Sequence, residues 1–182
     1  MALFLAGVDF EDNRIQGKDW PALKASSPFG ALPYLDIEGH GRLAECNAIL
    51  TFVGRNHGLH PADPWEAARH EALMSAAEHL RHKLSATNRL EEDDEKKAAR
   101  LALVEGALPE FAKSVEAQLG DGPFVAGDAI KVVDVKLYMM VRWIVTGVID
   151  HVPSTVFADY GKLTRLYEAV AAHPKIVEWL AR

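Results

Sequence analysis

A two-part architecture is what this sequence predicts: a small α+β part over residues 1–58, then an all-helical part over 65–182. Three observations carry it. Tyr34–Ile37 alternates apolar and polar residues, and a turn signal joins it to a second short run, the pattern of a β-hairpin. Leu59-His60-Pro61-Ala62-Asp63-Pro64 then reads as a linker. Beyond it, almost every stretch repeats its apolar residues at helical spacing.

In chain order, residues 3–6 read as the end of a buried helix, with Gly7 as its C-terminal cap. Val8 to Asp12 with Arg14-Ile15 predicts a short strand, and 17–31, rich in Lys, Pro, Ser and Gly, a loop with one helical turn. Leu35 and Ile37 share one face of the next strand, Glu38-Gly39-His40-Gly41 turns the chain, and Arg42–Glu45 returns. Ala48, Ile49, Phe52 and Val53 mark a helix up to Gly58. Asp63 before Pro64, with Glu66 three residues on, is a capping-box start for a long helix reaching Leu90. Glu91–Lys97 reads as a solvated break, followed by a helix to Leu119 that Asp121-Gly122-Pro123 closes. A third long helix holds Val132 to Val148, and shorter ones occupy 154–160, 162–172 and 174–181.

The bulk numbers narrow the function classes. A chain of 182 residues that is 49% hydrophobic and 25% charged has enough apolar side chain for a core without staples. A net charge of −6 disfavours non-specific binding to nucleic acid or to an anionic membrane. One cysteine excludes an intramolecular disulfide framework and a cysteine-based zinc site, and fits a reducing cytoplasm. The opening MALFLAGV has no basic flank or cleavage site, and no stretch reaches the roughly 20 apolar residues of a membrane span.

Several residues stand out before any family is considered. Pro33 opens a strand, as a trans proline on an edge or as a cis turn; only X–Pro bonds adopt cis at modest cost. Cys46 falls where a helix begins, and unpaired N–H groups with a partial positive charge gather there. It is either a small residue tolerated in that slot or a thiol of lowered pKa able to exchange disulfides. Trp20 and Lys24 read on their own as a loop-packing indole and a solvated lysine. His79 and His82, three apart on one helical face, lack a third ligand, so no metal is predicted. Arg69, Met74, Arg81 and Trp143 are candidates to line a cleft against the N-terminal part.

Taken together, LAGVDFED (5–12), DWPALK (19–24), SPFGALPYL (27–35), RLAECNAIL (42–50), GDAIKVVDVKLY (127–138) and HPKIVEWLAR (173–182) resemble the glutathione transferase family, its sigma-like and bacterial members above all. The resemblance implies a thioredoxin-like glutathione-binding domain over 1–58 and an all-helical domain over 65–182. It implies a cis Leu32–Pro33 bond whose Leu32 backbone pairs with the cysteinyl part of glutathione. It places Glu45 and Cys46 at the γ-glutamyl end, and Trp20 and Lys24 at the glycyl carboxylate. Cys46 departs from the usual serine and donates more weakly; Ala31 stands where relatives often have glutamine. Both changes imply weaker binding. Asp134 matches the structural Asp of the family's buried helix, while Lys131 replaces its capping Ser or Thr, a loss of about 1 kcal/mol. The resemblance also implies a strand and a loop ahead of the first helix, the loop carrying the Tyr, Ser or Cys that activates the glutathione thiol. Residues 1–182 match neither, and Tyr34, Tyr138, Tyr160 and Tyr167 do not stand in that place. The expectation is therefore a thioredoxin-like domain lacking its first strand, with no catalytic residue assigned. Glutathione is the implied co-substrate, with no cofactor. The implied reaction is attack of its sulfur on an electrophilic small molecule, and the implied assembly is a cytoplasmic homodimer with the long helices at its interface. The alternatives are a non-catalytic binding module on the same scaffold, or thiol-disulfide exchange through Cys46.

Overall fold

The computed structural model describes residues 1–182. Nine helices and one β-hairpin succeed one another: α1 (Ala2–Leu5), α2 (Trp20–Lys24), β1 (Tyr34–Ile37), β2 (Gly41–Ala44), α3 (Cys46–Asn56), α4 (Pro64–Thr87), α5 (Asp93–Glu105), α6 (Ala107–Glu116), α7 (Val132–Val145), α8 (Gly161–Ala172) and α9 (Pro174–Leu180). The sheet is β1–β2 alone, antiparallel, with Tyr34 opposite Ala44 and Ile37 opposite Gly41.

The contiguous core belongs to the helical part. Of its 27 buried residues, Leu50 alone comes from residues 1–58. α7 is buried nearly all round and packs on α3, α4 and α8, so it is the axis about which the other helices are laid. Its start is fixed by Asp134, whose fully buried carboxylate accepts from the N–H of Val125 at 2.8 Å and of Lys131 at 2.7 Å. Burial pushes this carboxyl up to about 6, against the pull of those two donors. Lys131 has no acceptor to cap with. Its ammonium instead donates to the Gly58 carbonyl at 2.6 Å, beside a bond from Val132 N–H to the Leu59 carbonyl at 2.9 Å. The residue that spoils the cap therefore ties α7 to the linker. Gly54 completes the seam: a Cβ there would sit 2.9 Å from His60 Cβ and 3.0 Å from Val132 Cγ2.

A buried arginine makes a second knot. Arg100 donates to the Thr87 hydroxyl, the Asn88 side chain, and both the carbonyl and the carboxylate of Asp150, joining α4, α5 and the loop after α7. Glu116 from α6 accepts from the N–H of Lys162 at 2.6 Å and so caps α8 from a distance.

Four expectations are corrected. Residues 8–15 form no strand: from 9 to 15 the backbone makes no hydrogen bond, because no neighbouring strand stands beside it. They are held by Phe10, which packs on Trp179 at 5.8 Å between ring centres, next to Phe4 at 5.5 Å. Glu91–Lys97 is not a break throughout; α5 begins at Asp93, and Asp93, Asp94 and Glu95 in its first turn suit the positive end of the helix dipole. The helix predicted up to Leu119 is two, because Gly106 leaves helical geometry (φ −123°, ψ −85°) between α5 and α6. Residues 154–160 form successive turns rather than a helix. The capping box at Asp63 is present, its side chain accepting from Glu66 N–H at 2.9 Å.

His70 is fully buried in α4, with both ring nitrogens unpartnered, 6.1 Å from the ring of His60. Burial first, then His60, Arg69 and Lys131, hold its pKa down at about 4, against the pull of Glu66. Between pH 6.5 and 4 the unfolded chain therefore binds a proton that the folded one refuses, so acidification drains stability. Asp134 has the opposite sign, its raised pKa adding stability as pH falls from 6 to 3.8. Substituting His70→Leu removes only the first effect. Urea unfolding at a series of pH values is expected to show wild type losing stability relative to His70→Leu from pH 6.5 to 4; a pH-independent difference would contradict a neutral, buried His70.

Candidate functional site

The site is built on the loop from α2 to β1 and on the start of α3. α2 carries Trp20 in its first turn and Lys24 in its last. The hydroxyls of Ser26 and Ser27 both donate to the Leu23 carbonyl and turn the chain. Phe29 (φ 55°) and Gly30 (φ 57°) then take left-handed backbone. The Lys24 side chain lies across Gly30, where a Cβ would stand 3.6 Å from its Cε. Arg42 of β2 clamps this loop to the hairpin, donating to the Ser26 carbonyl at 2.7 Å and to Asp36 at 3.2 Å, with its guanidinium 4.9 Å from the Tyr34 ring centre.

The Leu32–Pro33 peptide is cis. The ladder ends at the Tyr34–Ala44 pair, so Pro33 and Glu45 are the residues that flank it. Leu32 is exposed, and neither its N–H nor its C=O is bonded within the protein. Glu45 is exposed with φ 71° and ψ 119°, backbone that non-glycine residues rarely adopt, and its side chain does not cap α3. The first intrahelical donor is Ile49, so the N–H groups of Cys46, Asn47 and Ala48 are unpaired. The Trp20 indole and the Lys24 ammonium likewise have no partner in the protein. One surface thus gathers a free strand edge at Leu32, an open helix N-terminus, an unpaired carboxylate at Glu45 and an unpaired ammonium at Lys24. That set complements an extended peptide with carboxylates at its ends and an ammonium group.

Cys46 is half-buried and packs against the core. Asp134 lies in the frame of α7, away from this surface. Of the four candidates for a cleft against the N-terminal part, Met74 does line a groove of about 760 Å³ between α3 and α4, with Asn47, Thr51 and Ser75. Arg69 does not: it reaches just past the end of α6, donating to the Gln118 carbonyl at 3.1 Å, and lines a second, apolar groove of about 520 Å³ between α4 and α6. His79 faces that second groove, whereas His82 contacts Glu78 at 3.3 Å, so the two imidazoles diverge. The residues that come nearest to a metal cluster are Asp93, Asp150 and His151, but the Arg100 guanidinium already occupies Asp150 and opposes a cation there. Tyr138 is stacked on Tyr167 in the helical core, 5.2 Å between centres. Sequence reasoning missed Arg42; its signal is a charged residue opposite Asp36 across the hairpin.

Comparison with known proteins fits this arrangement. Residues 78–182 match the family model described as glutathione S-transferase, C-terminal domain. The chain belongs to the glutathione S-transferase family. A hematopoietic prostaglandin D synthase of Gallus gallus is 28% identical over 181 residues, 97% of this chain and 85% of that protein. A glutathione S-transferase 1 of Ascaris suum is 46% identical over 69 residues, 38% of this chain but 33% of that protein, so the stretch compared spans about a third of that relative. Among solved structures, prostaglandin synthase D of Nilaparvata lugens superposes with a TM-score of 0.87 at 23% identity, over 100% of this chain and 88% of its own. At that identity the likeness speaks for the glutathione S-transferase fold.

The backbone at Glu45 gives a stability test. Glycine adopts such angles without penalty. Glu45→Gly is expected to raise unfolding stability by roughly 1 kcal/mol, read from urea midpoints. No gain would mean that the backbone there is relaxed.

Proposed function

We propose that this chain binds glutathione on the surface formed by α2, the Leu32–Pro33 segment and the start of α3, and serves transfer of the glutathione sulfur to an electrophilic small molecule. The observation that carries the reading is the set of unpartnered groups on α2, at Leu32 and at the start of α3. Leu32 offers an N–H and a C=O to the cysteinyl backbone. The open end of α3 and the Cys46 N–H receive the γ-glutamyl carboxylate, and the Glu45 carboxylate takes the ammonium. Lys24 and the Trp20 indole N–H receive the glycyl carboxylate. Relatives named glutathione S-transferase and prostaglandin D synthase support the same reading. Positioning and thiolate stabilisation are what such a protein contributes to sulfur transfer. The Cys46 thiol packs against the core, which favours transfer over disulfide exchange. A single cysteine suits a reducing cytoplasm.

Calorimetric titration with glutathione tests the binding step. Lys24→Met is expected to weaken binding roughly tenfold, the loss of one charge-assisted contact. Absence of binding to the wild-type chain at millimolar glutathione would falsify the reading.

We also propose a homodimer. Phe29 is 84% exposed at the tip of its loop, Trp65 stands exposed at the start of α4, and the groove between α4 and α6 is lined mainly by apolar side chains. Apolar surface of this kind marks a protein interface. Sedimentation at micromolar concentration is expected to give twice the 20.0 kDa chain mass; a monomer at all concentrations would rule the dimer out.

A further inference from the structure

The face of α4 that lines the α3–α4 groove continues past it. Glu71, Met74 and Ser75 line the groove; Glu78, three to four residues on, and Arg81 and His82, seven on, share their face. α3 and α4 run in opposite directions there. Arg55, near the end of α3, bonds Glu71 at 2.9 Å, the chain passes from Asn56 to Pro64 through a short linker, and Asn47, at the beginning of α3, lines the same groove as Met74 and Ser75. Moving along α4 therefore leads toward and beyond the Glu45–Cys46 end. At 1.5 Å per residue, Arg81 lies about 10 Å past Met74. On the glutathione reading, this stretch of α4 is the wall open to a group carried on the sulfur.

That wall is charged. Glu78 accepts from Arg81 Nε at 2.6 Å and from the Lys136 ammonium of α7, with His82 at 3.3 Å. Burial works against this carboxylate, but the Arg81 and Lys136 bonds outweigh it and hold its pKa down at about 2, so it is ionised at neutral pH. One carboxylate thus faces two permanent cations, and a positive charge is left over. Lys136 is 9% exposed and bonds only Glu78; it ties α4 to α7. Arg81 is not needed for that tie, since it sits on α4 with Glu78. Its side chain is 43% exposed, and its Nη1 has only the Ser85 hydroxyl, at 3.5 Å. A guanidinium pinned on one edge and open on the other presents a planar donor fork, the geometry that fits a carboxylate.

We infer that Arg81, oriented by the Glu78–Lys136 pair, is a subsite for an anionic group, a carboxylate, on the second substrate. The inference rests on the glutathione reading above. Lys136 and Glu78 are positioning residues; Arg81 makes the contact.

The test compares two probes, S-benzylglutathione and S-(4-carboxybenzyl)glutathione, by calorimetric titration against the wild-type chain, Arg81→Gln and Lys136→Met. Wild type is expected to bind the carboxylated probe roughly tenfold more tightly, the worth of one charge-assisted contact. The ratio of the two affinities is expected to fall to about 1 in Arg81→Gln, and to an intermediate value in Lys136→Met, where Glu78 is freed to neutralise Arg81. Circular dichroism and thermal unfolding confirm that each variant is folded. Binding of both probes by wild type with equal affinity overturns this inference and leaves the glutathione reading standing. So does a preference that survives in folded Arg81→Gln. Binding of neither probe, with none of glutathione itself, overturns both.

Discussion

Asp134 is the group on which the arrangement of the whole chain depends. Its carboxylate is buried with two backbone donors and no cation in direct contact, an environment that raises its pKa and would be costly for a group without a task. The task is to fix where α7 starts. Once α7 starts at Val132, the Lys131 ammonium and the Val132 N–H meet the carbonyls of Gly58 and Leu59, and the linker is pinned. The linker in turn sets α3 against α4 and α7, and the beginning of α3 is half of the candidate site. A carboxylate in the helical part thus positions a surface on the other part of the molecule, with no ligand contact of its own.

The N-terminal part is thin by comparison. A two-stranded hairpin rarely stands alone in water. Here it is held from outside: by α3 behind it, by the Arg42 clamp to the Ser26 carbonyl, and by Phe4 and Phe10 on Trp179 of α9. Within the loop that follows α2, the amides of Gly30 and Ala31 are bonded to Ser27 and Pro28, and the backbone of Leu32 is left without a partner.

Much of this was legible in the sequence. The hairpin, α3 and the capped start of α4 were readable because each has a local signal: alternation with a Gly-containing turn, helical spacing, and Asp63-Pro64 with Glu66. The cis bond at Pro33 followed from the resemblance alone. What sequence did not reveal depends on neighbours. Residues 8–15 have β-like composition, but a strand exists only where another pairs with it. Gly106 divides a helix where its backbone leaves helical angles, a break that apolar spacing does not report. The reach of Arg69 to Gln118, and of Lys136 to Glu78, spans 49 and 58 positions and is set by tertiary packing.

Gly54 has a mechanical meaning. With a hydrogen in place of a side chain, α3 lies so close to His60 and Val132 that it can neither roll nor slide without collision. The platform under Glu45 and Cys46 is therefore stiff with respect to the helical part, and a ligand seated there feels one solid body rather than two hinged ones. The stretch 9–15 stands in contrast, its amides without partners and its Phe10 resting on Trp179. The molecule thus sets a fixed platform beside a segment that no backbone bond ties down.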